Sequence, residues 1–287
     1  MTSQTHAEPV GGLRAVRGPT AFSVPGGWRR FLSLLWLNAK MDFKLRYAGS
    51  VLSYGWALLR PLAFFGVLYL VFSLVFRIGS EIPYYPALLV FNIVIIFFFT
   101  EAVGAAVGSV VQNEPVVRKT QFPRAVIPLS VVLSAFLTLL INLVAISVFL
   151  VLSHVEPRWT WLLFPLVLAA FLLISSALGL LFAALHARFR DVGQAWTVIA
   201  RVLFYAAPVL YTIELVPDHL RPFFVANPIA PLFIETRRII FDPGGMSSAE
   251  AAGGTPALAI SIALFAALCV LGVWYFARRA PRIAEDL

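Results

Sequence analysis

NEPVVRKTQFPRAVIP (residues 113–128) interrupts a chain that is 60% hydrophobic. It holds three basic side chains, Arg118, Lys119 and Arg124, and three prolines, Pro115, Pro123 and Pro128. Long apolar runs flank it on both sides, so it reads as a stiff basic loop between two membrane spans. The totals agree. Mean hydropathy over the 287 residues is +0.88. Charged residues make up 13%, about half of the roughly 25% usual in soluble domains. A net charge of +8 would suit nucleic acid, but the basic residues are scattered along interhelical segments. Membrane topology explains that scatter, and no nucleic acid is expected as a partner. The single cysteine, Cys269, excludes an internal disulfide.

A spanning helix needs about 20 mostly apolar residues. Segments 56–76, 86–111, 126–153, 161–185, 195–213 and 256–277 meet that requirement. The expected fold is therefore an all-α integral membrane protein with six transmembrane helices. Of the 22 basic residues, seven precede the first span and three lie in the 113–128 stretch. Two more, Arg188 and Arg190, precede the fifth span, and three follow the sixth. Only five lie in the alternate loops. Positive charge accumulates on the cytoplasmic side, so both termini and the 113–128 loop are expected inside.

Four regions follow. Residues 1–25 lack the apolar core of a secretory signal and read as a disordered cytoplasmic tail. Residues 26–50 read as a basic amphipathic helix on the inner membrane surface. Trp28, Phe31, Leu32, Leu35, Ala39 and Phe43 share one side of it, largely opposite Arg29, Arg30, Lys40 and Lys44. Residues 51–280 form the six-span domain, and 281–287 a cytoplasmic tail. Within the domain, 216–241 is too apolar for a simple outer loop. Asn227-Pro228 offers a helix start there. Two short helices dipping back from the outer face, or one surface helix, would satisfy the pattern. Residues 244–256 read as a small-residue turn into the last span.

Catalytic chemistry is not apparent. No G-x-x-x-x-G-K-[ST] motif occurs, so ATP is not held by a P-loop here. The four histidines, His6, His154, His186 and His219, form no metal-spaced pair. Ser175, Gly179 and Ala183, like Gly104 and Gly108, recur every four residues, a spacing that lets helices approach closely. Three charges fall inside expected spans: Arg60, Glu101 and Arg201. An unpaired charge at mid-bilayer costs on the order of 3 kcal/mol. Glu101 is therefore expected either to pair with Arg60 or Arg201 or to serve a proton or ion relay.

Four stretches together resemble the membrane subunit of ABC-2 type exporters, in the branch that moves O-antigen, teichoic acid or galactan precursors. They are RYAGSVLSYGWALLRPL (residues 46–62), the 113–128 stretch, RFRDVGQ (residues 188–194), and PVLY (residues 208–211) followed by Asn227-Pro228. Their order along residues 28–280 carries the likeness. Ser53 and Ala48 depart from it, standing where glycine and a basic residue are usual.

The resemblance implies a non-catalytic permease that forms a homodimer and docks two copies of a separate ATPase, which alone binds ATP and Mg. The cargo it implies is a lipid-linked polysaccharide on a polyprenyl diphosphate carrier, and the location is the bacterial cytoplasmic membrane. It assigns the ATPase contact to Asn113, Glu114, Arg118, Lys119, Phe122, Pro123 and Arg124, with Phe122 as apolar anchor. Arg188, Arg190 and Asp191 make a second, smaller contact. The first and fifth spans line the path in that family, which points to Tyr54, Trp56, Trp196, Tyr205 and Tyr211. A lipid or drug exporter is the alternative within the class. A membrane glycosyltransferase or a channel is the alternative outside it, and the lack of closely paired acids counts against the enzyme.

Overall fold

The computed structural model describes residues 21–22, 27–47, 51–77, 82–115 and 123–283, with the backbone alone at 51–54 and 74. Among these residues every regular element is helical. Helix α1 (Gly27–Tyr47) is followed by α2 (Val51–Tyr69), which runs into a π-helical turn at Leu70–Val75. Then come α3 (Tyr85–Gln112), α4 (Val126–Leu152) and α5 (Phe164–Arg188), the last preceded by a 3-10 turn. After α6 (Val192–Ala206) the chain makes three short helices, α7 (Arg221–Val225), α8 (Ala230–Ile240) and α9 (Ser248–Ala251). It closes with α10 (Ala257–Arg279). Five described helices are long and apolar enough to cross a membrane: α2, α3, α4, α5 and α10.

α3 is the axis of the bundle. It packs on α4 and α5, while α10 rests on α5, and α1 lies along α4. Small residues set these approaches. A Cβ at Gly179 would stand 3.0 Å from the Cβ of Ala106 on α3 and 3.2 Å from Val132 on α4. At Gly272 on α10 a Cβ would collide with the Ala177 carbonyl of α5. Ser175 is buried, and its hydroxyl donates to the Phe171 carbonyl one turn back. In lipid the solvent is as apolar as the helices, so close backbone contact of this kind is what holds them together.

The fifth expected span departs from its sequence reading. α6 has 15 residues, about 22 Å at 1.5 Å each, short of the roughly 30 Å hydrocarbon core. The cause is Pro208. It lacks an N–H, and it drives Ala207 into extended geometry (φ −96°, ψ 149°). The chain then runs irregularly to residue 212. Irregular backbone is tolerated at membrane depth only where protein satisfies it. α3 does so here: the Tyr85 hydroxyl donates to the Leu210 carbonyl (2.9 Å), and Asn92 Nδ2 lies 3.3 Å from the Val209 carbonyl.

The cap that follows, residues 213–256, is similarly knit. Asn227 Oδ1 accepts the Ile229 N–H (3.1 Å), so Asn227 does cap a turn, although the regular helix α8 starts at Ala230. The 244–256 segment is more than a turn. Ser247 and Glu250 form a reciprocal capping box that starts the one-turn helix α9.

On α1 the inward face is narrower than the apolar pattern implies. Phe31 and Ala39 are buried, whereas Trp28 and Leu32 stay exposed beside Trp36 and Met41. Helix α1 thus shows one face to α4 and leaves a second apolar face uncovered.

Candidate functional site

The 113–128 stretch is anchored at both ends. Asn113 closes α3, its N–H and its Nδ2 both donating to the Ser109 carbonyl (3.1 and 2.8 Å). Glu114 is half-buried. Arg118, Lys119 and Phe122 lie outside the described residues. At the far end Pro123 and Arg124 are buried. Arg124 Nη1 donates to the carbonyl of Ala280, one residue beyond α10. The next N–H, of Ala125, donates to the Ala21 carbonyl (3.2 Å). An apolar nest of Phe31, Val126, Ala184, Phe276 and Ile283 surrounds the junction.

The expectation that Arg124 offers its charge to a docking partner therefore needs correcting. Its guanidinium points inward and caps a helix C-terminus, where unpaired carbonyls carry partial negative charge. Together with the Ala125 N–H on Ala21, it clasps the end of the loop to both terminal regions of the chain. Arg188, Arg190 and Asp191 are exposed between α5 and α6, and the Arg188 guanidinium lies 5.0 Å from the Phe189 ring centre.

The aromatic candidates separate. Trp56 and Tyr205 are 60% and 67% exposed. Tyr211 is half-buried, and its hydroxyl donates to the Tyr205 carbonyl (3.0 Å). The Tyr54 side chain lies outside the described set. Trp196 is a correction: it is buried against Phe99 and Phe182, and its Nε1 donates to the Thr100 carbonyl (3.2 Å). Gly104 makes room for it, since a Cβ there would stand 3.1 Å from that nitrogen. Trp196 therefore braces α6 against α3 and does not line an open path within this subunit.

The charged residues resolve in an unexpected way. Glu101 pairs neither with Arg60 nor with Arg201. Its Oε1 accepts from Arg46 Nη1 (3.0 Å), and Arg46 also bonds Asp42 (3.1 Å). Arg46 closes the last turn of α1, so this bridge ties the amphipathic helix to the central span. Tyr47 beside it meets Thr138 of α4 through a hydroxyl pair (3.1 Å). Arg201 is exposed on α6.

Arg46, Arg60 and Glu101 line a single cavity of about 320 Å³ between α1, α2, α3 and α4, with Trp56, Thr138 and Asn142. Pro61 and Ala57 complete its α2 wall. Pro61 cannot donate to the Ala57 carbonyl one turn earlier, which leaves that acceptor without its helical partner. Arg60, Glu101 and Trp56 were legible as candidates from sequence. Asn142 and Thr138 were not, although their spacing of four on one helix face was the available signal.

At the opposite end, Glu214, Arg237 and Asp242 form an ion cluster in the 213–256 cap. Burial alone would raise the Glu214 carboxyl. The Arg237 hydrogen bond and charge, with the Met246 N–H, outweigh it and hold the pKa below the ordinary 4.5. Arg221 donates to the carbonyls of Ile213, Glu214 and Val216, which pins the segment just after the helix break.

A tight apolar bundle, an amphipathic helix at one end and a broken helix capped at the other describe a multi-span membrane protein. The chain belongs to the ABC-2 type transporter family, whose model matches residues 33–241. It is 29% identical over 210 residues to an O-antigen export system permease protein, RfbA, of Klebsiella pneumoniae, covering 73% of this chain and 80% of that one. It is 27% identical over 215 residues to a protein of the same name from Myxococcus xanthus, covering 74% of this chain and 82% of that one.

Proposed function

We propose that the chain is the permease half of an ATP-driven exporter of a lipid-linked polysaccharide, with a cell-wall galactan or an O-antigen-like polymer as cargo. The observation that carries this reading is the similarity to two O-antigen export permeases across nearly three-quarters of the chain. Two copies pair, and two copies of a separate ATPase dock beneath them, supplying the ATP and Mg chemistry. The ATPase engages the 113–123 segment and the exposed Arg188–Asp191 corner. The chain crosses the inner membrane six times, α6 with its extended break making the fifth crossing, and both termini are cytoplasmic. The excess of basic residues at that end supports this orientation.

Depleting the protein in its own cell and analysing lipid-linked glycans tests the reading. One polymer should accumulate on its carrier and stay unexposed at the surface. An unchanged glycan pool and cell wall would remove the polysaccharide and leave lipid or drug export.

A further inference from the structure

α10 ends in a basic cluster that none of the sites described above uses. Trp274, Tyr275, Arg278, Arg279 and Arg282 enclose a pocket of about 280 Å³ at its C-terminal end. No acidic side chain lines it, and the three arginines form no ion pair among the described residues.

Spacing along the helix builds the pocket. Residues four apart share a helix face, so Arg278 lies over Trp274 and Arg279 over Tyr275. The guanidinium carbons stand 5.4 and 5.8 Å from the two ring centres. Such a contact occupies the face of a guanidinium and leaves the N–H donors on its edge free. The Arg282 N–H donates to the Arg279 carbonyl (2.8 Å), which turns the chain back and keeps the third arginine beside the other two. Tyr275 is half-buried and packs on the core, so the cluster stands on a firm base.

Three cations this close repel one another, and an anion among them relieves the repulsion. A helix C-terminus alone would oppose an anion, with a partial charge of about −0.5. Three full positive charges outweigh that, and Arg124 already covers the Ala280 carbonyl. Planar N–H forks match the oxygens of a phosphate. The neighbouring surface shows what carries the phosphate. About one turn deeper Val270, Leu271 and Val273 are exposed, and Trp274 stands at the boundary with half its surface open. Only 17% of the most apolar α10 window is buried in the subunit. A free phosphate or an acidic protein surface would use the arginines and leave this strip uncovered. A phospholipid uses both, with its headgroup on the arginines and its acyl chains along the strip.

We propose that the C-terminal end of α10 is a binding site for the phosphodiester headgroup of an anionic phospholipid. Arg278 and Arg282 donate to the phosphate oxygens, Arg279 adds its charge, and Trp274 holds the Arg278 fork in place. The site does not depend on the identity of the exported cargo.

The test is native mass spectrometry of the full chain, delipidated in a neutral detergent, with the acidic tail residues Glu285 and Asp286 in place as competitors. Dioleoyl phosphatidylglycerol and dioleoyl phosphatidylcholine are titrated separately, and glycerol 1-phosphate supplies the phosphate without acyl chains. Phosphatidylglycerol should bind at least tenfold more tightly than phosphatidylcholine. Arg278→Gln with Arg282→Gln, both at exposed positions, should weaken it about fivefold per charge and leave phosphatidylcholine unchanged. Trp274→Ala should weaken it about threefold. Arg188→Gln with Arg190→Gln removes the same charge elsewhere at this end of the bundle and should leave phosphatidylglycerol binding unchanged. Equal binding of the two lipids overturns the proposal, as does an equal loss in the two double variants, since either reduces the effect to overall charge. Glycerol 1-phosphate bound as tightly as phosphatidylglycerol overturns the lipid assignment. So does release of a co-purified ATPase by Arg278→Gln with Arg282→Gln while phosphatidylglycerol binding stays unchanged, which would make the cluster a protein contact.

Discussion

α2 and α3 are neighbouring spans of similar composition with opposite fates. Their most apolar windows have mean hydropathies of 1.7 and 2.2. Yet 78% of the α3 window is buried inside the subunit, against 6% for α2. In water a face as apolar as that of α2 would have to find cover. In lipid it need not, because the acyl chains solvate it as well as a neighbouring helix does. Burial in this molecule is therefore decided by shape and by polar side chains. α3 carries Gly104, Ala102 and Ala106, which admit Trp196 and α5, and Tyr85 and Asn92, which hold the unwound backbone after α6. α2 keeps Trp56 and Arg60 at its open flank.

Truncation should expose the contrast most strongly. Phe99→Ala on α3, at a side chain with no exposed surface packed on Trp196, should cost about 3–5 kcal/mol. Thermal loss of the monodisperse species in detergent would read it. A loss no greater than that of an exposed α2 position would show that the central packing is not what holds the bundle. Arg124→Ala comes next, at about 1.5–3 kcal/mol, because it leaves the Ala280 carbonyl buried without its charged donor. Limited proteolysis near both termini should quicken in this variant, and Arg124→Lys should restore only part of the protection.

The 213–256 cap has a pH dependence of fixed sign. Glu214 ionises more readily when folded, so its contribution is complete above the ordinary carboxylate value of 4.5. It is lost as pH falls through the lower folded value. Hydrogen exchange in residues 213–252 should rise below that point, and Arg237→Gln should flatten the rise. The smallest effect is expected on α2. Val67→Ala, 61% exposed, should change stability by no more than about 0.5 kcal/mol. A larger loss in the assembled protein than in the isolated subunit would place Val67 in a subunit contact and sharpen the comparison.

Much of this was legible in the chain itself. Apolar runs of about 20 residues and the Pro–Arg-rich interruption at 113–128 specify a helical membrane protein, because lipid leaves the backbone no option but internal hydrogen bonding. The four-residue recurrence through Ser175, Gly179 and Ala183 marked a close helix contact that exists. Charge identity was legible as well, and Arg60 and Glu101 stood out at once. Partner choice was not. Glu101 finds Arg46, 55 residues away on α1, rather than Arg60 or Arg201. Arg124, a surface charge by composition, turns inward to Ala280, 156 residues on. Trp196 became a brace and Trp56 an open face, although both are tryptophans in apolar runs. Pro208 predicts that a helix ends but not that Tyr85 and Asn92 will donate to the carbonyls of the broken backbone. Local sequence fixes which groups must be satisfied, since that depends on bond chemistry and on the solvent. Which group satisfies which depends on distances that only the packed chain brings about, and in this protein those pairings make the cavity, the clasp and the cap.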